Sequence, residues 1–141
     1  MSLQQPYNRP QPIAPGEKII AAASYLTAGV VGFIWIIISH VSGSRLKNFL
    51  RFHIYQSIFL SILYYVFNVI LSILVGIVVK IPFFGSLVYS VYFWTFDMKI
   101  IFGYSIVDTF IFITIAYLVI NSIFGKYGRL PWVSKVIKSM M

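Results

Sequence analysis

Asp108 is the side chain in this sequence with the clearest potential for chemistry. It interrupts an otherwise uncharged apolar run over residues 104–123. A charged carboxylate within a membrane span costs ~2.5–3.5 kcal/mol on insertion scales, so such a group faces a helix bundle or a wet cavity, or is protonated. Asp108 is therefore either a passage-lining or proton-binding group, or a carboxylic acid hydrogen-bonded to Ser, Asn or Tyr of a neighbouring helix.

The other candidate residues match no catalytic or metal-binding pattern. His40, His53 and Asp97 have no metal-ligand spacing, and the absence of cysteine excludes thiolate sites and disulfides. A hydrolase needs a nucleophile, a base and an orienting group within reach, and no histidine lies inside an apolar span. We predict no enzyme activity, no catalytic residue, no metal and no cofactor. His53 is interpreted as an interfacial ring with one wet edge, or alternatively as a titrating switch.

The composition indicates a chain that uses lipid as its solvent. Of its 141 residues, 60% are hydrophobic and 10% charged, and the mean hydropathy is +0.89, which lies outside the soluble globular range. The net charge of +8 suits cations that flank apolar spans on an anionic membrane, and no basic patch lies elsewhere. We expect an all-α integral membrane protein whose partner is the lipid bilayer and which binds no nucleic acid.

Four apolar segments predict one four-helix membrane domain over residues 19–141. It follows a leader over residues 1–18, rich in Pro and Gln, which we expect to be disordered. The spans are predicted at about 19–39, 54–79, 82–102 and 104–123.

The third span has two competing placements. The chain turns at residues 97–99 and leaves a short tilted or re-entrant segment, or the helix continues to Phe102 and turns at Gly103. We favour the second placement because it gives both neighbouring spans sufficient length.

Two amphipathic helices are predicted at the membrane surface, over residues 44–53 before the second span and over residues 131–140 at the C-terminus. The apolar face of the first comprises Leu46, Phe49, Leu50, His53 and Ile54, opposite Lys47 and Arg51. The apolar face of the second comprises Val133, Val136, Ile137 and Met140, opposite Lys135 and Lys138.

Small and polar residues recur at helical spacing along the first two spans. In the first span they are Ala21, Ser24, Ala28 and Gly32, and they predict close helix packing. In the second span they are Ser57, Ser61, Tyr65, Asn68, Ser72 and Gly76. This second stripe serves helix packing or lines a polar passage, and the candidate residues for either role are Ser57, Ser61, Asn68, Ser72 and Asp108.

The distribution of Lys and Arg predicts both termini on the cytoplasmic or stromal side. With four spans, one side receives Arg9, Lys18, Lys80, Lys126, Arg129, Lys135 and Lys138. The other side receives Arg45, Lys47, Arg51 and Lys99.

Two blocks of sequence resemble a known family. They are FLRFHIYQS, at residues 49–57, and FGKYGRLPWVSK, at residues 124–135. At the two ends of a four-span core, they resemble the twenty-kilodalton channel subunit family of the TIC protein translocon in chloroplast inner envelopes and its cyanobacterial and other bacterial relatives. The matching positions are Arg51, Phe52, His53, Gln56, Gly125, Lys126, Tyr127 and Pro131. Gly128 stands where proline is more usual in that family, and Lys135 where an acidic residue is expected.

The resemblance implies a membrane subunit of a preprotein translocation complex, either forming or scaffolding its channel. It would lie in the plastid inner envelope or in a cyanobacterial or other bacterial inner membrane. Its partners would be other translocon membrane subunits and the translocating preprotein, with a homo-oligomer or shared pore because four helices enclose little lumen. The alternatives are a non-conducting assembly or scaffold protein and a small-solute or ion transporter.

Overall fold

The computed structural model describes residues 12–140, and every regular element in that range is helical. The all-α prediction is therefore confirmed for this part of the chain. A π-helical turn, Phe93–Asp97, directly continues the fourth helix. The α-helices are α1 (Pro15–Leu26), α2 (Val30–Val41), α3 (Asn48–Val78), α4 (Phe84–Tyr92), α5 (Ile106–Ile123) and α6 (Val133–Met140).

Helices α1 and α2 form an antiparallel hairpin instead of the single crossing predicted over residues 19–39. Ala28 and Gly29 take left-handed backbone conformations, with φ of 52° and 89°, and reverse the chain. Ser24 and Gly32 would be about 12 Å apart on a straight helix, yet a Cβ atom on Gly32 would lie 2.8 Å from Ser24 Oγ. The predicted small-residue stripe thus packs the two arms of the hairpin together, and each arm is only about 18 Å long.

Helix α3 is the longest element, and the hairpin packs against its first half. Its 31 residues correspond to about 46 Å. Ala21 of α1 packs with Phe49, Leu50 and Ile54 of α3 in one buried cluster, and the hairpin turn reaches Ile58 through Gly29. Helix α1 also packs against α5, so it lies between α3 and α5.

After α3 the chain runs back toward the start of that helix, and we call this part the return path. It consists of two shorter pieces, α4 with its π turn and α5. Helix α4 and the π turn run antiparallel to the second half of α3, where Phe96 reaches Phe67. The chain becomes extended at Met98 and turns through Phe102 and Gly103, both with positive φ. Helix α5 then begins beside the middle of α3, where Asp108 contacts Tyr64, and packs mainly against α1.

The helix in the third predicted span ends at Asp97. The sequence favoured the longer placement, in which this helix continues to Phe102. Asp97 and Lys99 bracket this end, and the backbone N–H of Met98 donates to the carbonyl of Phe93 to close the π turn. The helical part spans 14 residues from Phe84, about 21 Å. This is the length expected for the alternative short, re-entrant placement.

The first predicted amphipathic helix is part of α3 and not a separate element, whereas the second is present as the amphipathic helix α6. Helix α3 starts at Asn48, and Phe49, Leu50, His53 and Ile54 are buried against other parts of the protein. Helix α6 packs Val133 and Ile137 on Phe52 of α3, whereas the side chain of Val136 is 41% exposed. The hairpin covers Phe49, Leu50 and Ile54 of the first apolar face, and α6 packs its own apolar face on Phe52 at another side of α3.

The helical part of the chain starts earlier than predicted. Residues 1–11 of the predicted leader lie outside the described part of the structure, and residues 12–14 are not helical. Pro15 begins α1 because proline is favoured at the first helical position. The carboxylate of Glu17 accepts a hydrogen bond from the backbone N–H of Ala14 at 3.1 Å, which satisfies one donor at this helix end.

Two helices, α3 and α5, are long and apolar enough to cross a membrane by length and composition. The most apolar 18-residue window of α3 has a mean hydropathy of 2.4, and none of that window is buried within the protein. The four predicted crossings are not all present as single spanning helices among residues 12–140. The second span, 54–79, falls within α3, and the fourth, 104–123, corresponds to α5.

We predict that Gly32→Ala destabilises the hairpin while Gly76→Ala does not. A Cβ atom at Gly32 would meet Ser24 Oγ and Ile54 Cγ2 at 2.8 Å, and such overpacking costs about 1–3 kcal/mol. A Cβ atom at Gly76 meets nothing within 4 Å, so the same change there should be neutral or stabilising by up to about 1 kcal/mol. Thermal unfolding followed by circular dichroism in detergent would show a lower Tm for the first variant only. Equal Tm values would contradict the close packing of α1 on α2.

Candidate functional site

A buried polar cluster at the start of α3 joins three separate parts of the chain. Its members are Tyr25 from α1, His53 and Gln56 from α3, and the backbone of Gly128 from the segment before α6. His53 and Gln56 are fully buried, and Tyr25 is 3% exposed. We call this group the polar cluster.

Helical spacing explains why His53 and Gln56 point the same way. Residues three apart are neighbours on one face of a helix, and this face of α3 is covered by α1 on one side and by the C-terminal segment on the other. Tyr25 is in the last turn of α1, which places its hydroxyl within 2.8 Å of His53 Nδ1 and 2.9 Å of Gln56 Oε1.

The hydrogen bonds determine one consistent arrangement of protons. Gln56 Nε2 donates to the carbonyl of Gly128 at 3.0 Å, so Gln56 Oε1 faces Tyr25 and accepts its single hydroxyl proton. The contact between Tyr25 and His53 Nδ1 then requires a proton on Nδ1. In this tautomer His53 Nε2 is a buried acceptor with no partner among residues 12–140.

The other neutral tautomer leaves a different atom without a partner. A proton on His53 Nε2 would point toward the backbone carbonyl of Lys126, and Tyr25 would donate to Nδ1. Gln56 Oε1 would then lose its donor. Each neutral tautomer therefore leaves one polar atom unsatisfied, and a buried unsatisfied group costs about 1–3 kcal/mol.

Aromatic rings enclose the imidazole of His53. Tyr127 lies nearly parallel to it, with an interplanar angle of 12° and a centroid distance of 6.1 Å. Phe49 and Phe52 contact the imidazole from α3 itself, and both also pack against Tyr127. The prediction of an interfacial His53 with one wet edge is wrong, because the C-terminal segment covers the ring.

Five of the eight family-motif positions lie in or beside the polar cluster. His53 and Gln56 belong to it, Phe52 and Tyr127 pack on His53, and the carbonyl of Lys126 faces the ring. Gly125 adopts φ of 69° in the turn after α5 and lies against Lys18. Arg51 instead stacks on Tyr55 at 5.6 Å, and the carbonyl of Pro131 accepts the N–H of Val133.

Comparisons with known protein families, with curated proteins and with solved structures found no match.

The sequence did not indicate Tyr25 or Gly128 as members of the cluster. The signal for Tyr25 is present, since a tyrosine hydroxyl within an apolar helix needs a hydrogen-bond partner. Gly128 stands out in the sequence only as a departure from the family pattern. The structure gives it a packing reason, because a Cβ atom there would lie 2.8 Å from Leu118 Cδ2.

The candidate passage residues do not form a connected polar path within the described part of the chain. Ser57, Ser61 and Asn68 donate to the backbone carbonyls of Ile54, Ser57 and Tyr64 on their own helix. Ser57 is buried and Ser72 is exposed. The clefts that α3 forms with α4 and α5 are lined mainly by aliphatic and aromatic side chains.

Asp108 lies in the first turn of α5 and not in the middle of a span. The hydroxyl of Ser105 caps this helix and accepts the backbone N–H of Asp108 at 3.1 Å. The carboxylate accepts a hydrogen bond from Tyr64 at 3.2 Å. An acidic residue is favourable in the first turn because it faces the positive end of the helix dipole. These contacts match the alternative in which Asp108 is hydrogen-bonded to a neighbouring helix.

We predict that Gln56→Met destabilises the protein by about 1–3 kcal/mol, because the buried carbonyl of Gly128 loses its donor, whereas Tyr25 can still donate to His53 Nδ1. The matched control is Asn68→Leu on the same helix, whose amide donates only to Tyr64 of that helix. This control should change stability by less than about 1 kcal/mol. Urea or thermal unfolding in detergent measures both variants. An effect of Gln56→Met no larger than that of the control would refute the role of the cluster.

We also predict that Tyr25 and Gln56 are energetically coupled. Tyr25→Phe should destabilise the protein on its own, and the double variant Tyr25→Phe with Gln56→Met should cost less than the two single changes added. A coupling of about 0.5–3 kcal/mol is usual for residues in one hydrogen-bond network. A double-mutant cycle measured by unfolding tests this prediction, and strict additivity would show that the two side chains act independently.

Proposed function

We propose that this chain is a membrane subunit of a preprotein translocation complex, and that its role there is to scaffold other subunits. The observation that carries the proposal is the meeting of the two motif blocks. His53 and Gln56 from the first block, with Tyr127 from the second, lie 70 or more positions apart in sequence and form one buried group. The residues on which the family resemblance rests are therefore those that hold this fold together.

The exposed apolar surface supports a place in the membrane. Along the second half of α3, Phe67, Ile70, Ile73 and Ile77 are each more than half exposed. A contiguous surface of this kind marks contact with lipid or with partner proteins. In the proposed setting α3 crosses the bilayer, and α4 with α5 returns beside it.

The distribution of cations supports an orientation for the proposed crossing. Because the hairpin doubles back, the Lys and Arg residues near the start of α3 share one end of the molecule with those of the C-terminal segment. They are Lys18, Arg45, Lys47, Arg51, Lys126, Arg129 and Lys135. Lys80 follows the opposite end of α3, so the sequence-based grouping of Lys80 with Lys18 differs from the structure. By the positive-inside rule, the end near the start of α3 faces the cytoplasm or stroma, together with both described chain ends.

The scaffolding role is favoured over conduction because Ser57, Ser61 and Asn68 of the polar stripe make their hydrogen bonds within their own helix. A polypeptide path needs polar groups that are free to contact the passing chain or water. Lipid and partner subunits, in contrast, fit the exposed apolar face of α3. The chain would sit in a plastid inner envelope or a cyanobacterial or other bacterial inner membrane.

Site-specific photo-crosslinking in native membranes tests this role. Probes at Asn68 and Ser72, on the polar stripe, should capture lipid or partner membrane subunits and no arrested preprotein. A probe at Ser57, which is 2% exposed, is the control and should give internal products only. Preprotein captured by the stripe positions would establish conduction instead. If membranes with an active complex give crosslinked products that contain no translocon subunit, the proposal that this chain belongs to the complex is refuted.

A transporter of a small solute or ion is the second candidate, and the interrupted helices favour it. The pair of Tyr64 and Asp108 lies where the return path breaks, about halfway along α3, and transporters place ion sites at such breaks. We predict that purified protein in liposomes shows no ion or proton flux if it is a scaffold. Flux that Asp108→Asn abolishes and Ser72→Ala leaves unchanged would establish the transporter.

A further inference from the structure

A small cleft opens between the end of α2 and the start of α3, next to the polar cluster but separate from it. Its volume is about 370 Å³. The cationic side chains in its lining are Arg45, from the loop before α3, and Arg51, from the second turn of α3. Ser44 and Asn48 add polar groups, and Ile36 and Leu46 supply an apolar wall.

Neither arginine is neutralised by an acidic side chain in the described part of the chain. The ion pair observed at this end of the molecule joins Lys47 to Glu17 at 3.1 Å. Glu17 is the one acidic residue of the described part of the chain that lies at this end. The other two acidic residues, Asp97 and Asp108, lie away from this end, near the break in the return path about halfway along α3. The cleft therefore carries an uncompensated positive charge, whereas the larger neighbouring cleft contains the lysine that Glu17 already pairs with.

The loop that carries Arg45 is held in place by the protein. Ser39 Oγ donates to the backbone carbonyl of Ser44 at 2.6 Å, and Gly43 takes a positive φ of 64° to complete the turn. Arg51 is oriented by stacking on Tyr55. The two guanidinium groups are thus presented by anchored backbone on both sides of the cleft.

We propose that this cleft binds the headgroup of an anionic phospholipid. Guanidinium groups form paired hydrogen bonds with phosphate oxygens, and Ser44 and Asn48 provide further hydrogen-bonding groups for the headgroup. Ile36 and Leu46 give the glycerol and the first acyl carbons an apolar contact, which a free phosphate ion would not use. The cleft lies at the cation-rich end, which in the proposed orientation meets the anionic leaflet. The inference rests on the proposed membrane location and not on the translocation role.

Native mass spectrometry of the full chain released from nanodiscs tests the proposal. The discs contain either phosphatidylcholine alone or a mixture of phosphatidylcholine and phosphatidylglycerol. The wild-type chain should retain phosphatidylglycerol in preference to phosphatidylcholine. Arg45→Gln should reduce that retention roughly fivefold, and Arg45→Gln with Arg51→Gln roughly 25-fold, since each guanidinium in direct contact with the phosphate contributes about 1 kcal/mol at an exposed site.

Three comparisons make the outcome decisive. Lys135→Gln removes an exposed cation at the same end but outside the cleft, and it should leave retention unchanged within about twofold. Equal losses from Lys135→Gln and Arg45→Gln would show a diffuse charge effect and overturn the site. Retention of phosphatidylglycerol no greater than that of phosphatidylcholine would also overturn it, as would complete displacement of the lipid by inorganic phosphate. Arg45 lies in an exposed loop, so Arg45→Gln is expected to leave the fold intact, which circular dichroism checks.

No preprotein or partner subunit enters this measurement. A negative result in the lipid-retention measurement would therefore leave the crosslinking test of the scaffolding role unaffected. A negative crosslinking result would likewise leave the lipid measurement unaffected.

Discussion

Two polar side chains on an apolar helix constrain the rest of this structure. His53 and Gln56 are fully buried, and a buried polar group without a partner costs about 1–3 kcal/mol. Helix α3 cannot supply those partners, because its own backbone groups are used in helical hydrogen bonds. Tyr25 comes from the hairpin and the carbonyl of Gly128 from the C-terminal segment. The demand for hydrogen bonds thus selects which parts of the chain pack on the start of α3, where apolar contact alone would accept many arrangements.

The hairpin of α1 and α2 changes the charge distribution of the molecule. A straight helix over residues 19–39 would carry Arg45, Lys47 and Arg51 to the opposite side of the bilayer from Lys18. Because the chain reverses at Ala28 and Gly29, these cations come to the same end as Lys18, where Lys47 pairs with Glu17. A single turn therefore concentrates positive charge around the start of α3, and this concentration supports both the proposed orientation and the lipid-binding cleft.

The sequence predicted the helices better than their directions. Hydropathy placed α3 and α5 closely because long apolar runs have one stable form in lipid. It missed the hairpin because Thr27, Ala28 and Gly29 are small residues that are also compatible with a continuous helix. His53 was predicted to be partly exposed to water, because the amphipathic pattern of one helix does not show which other segments cover it. The motif positions were found, but their convergence depends on a contact between residues 56 and 128 that no local pattern encodes.

The two halves of α3 are stabilised by different kinds of interaction. In the first half, Phe49 to Ser57, packing is specific: hydrogen bonds, stacked rings and glycine contacts allow few replacements. In the second half none of the side chains is buried, and mainly their apolar character is constrained, because lipid-like surroundings accept any aliphatic or aromatic shape. Gly85 is the exception there, since a Cβ atom would overlap the carbonyl of Val79 at the α3–α4 turn. The start of α3 therefore depends on specific contacts, whereas the long face of its second half depends mainly on its apolar character.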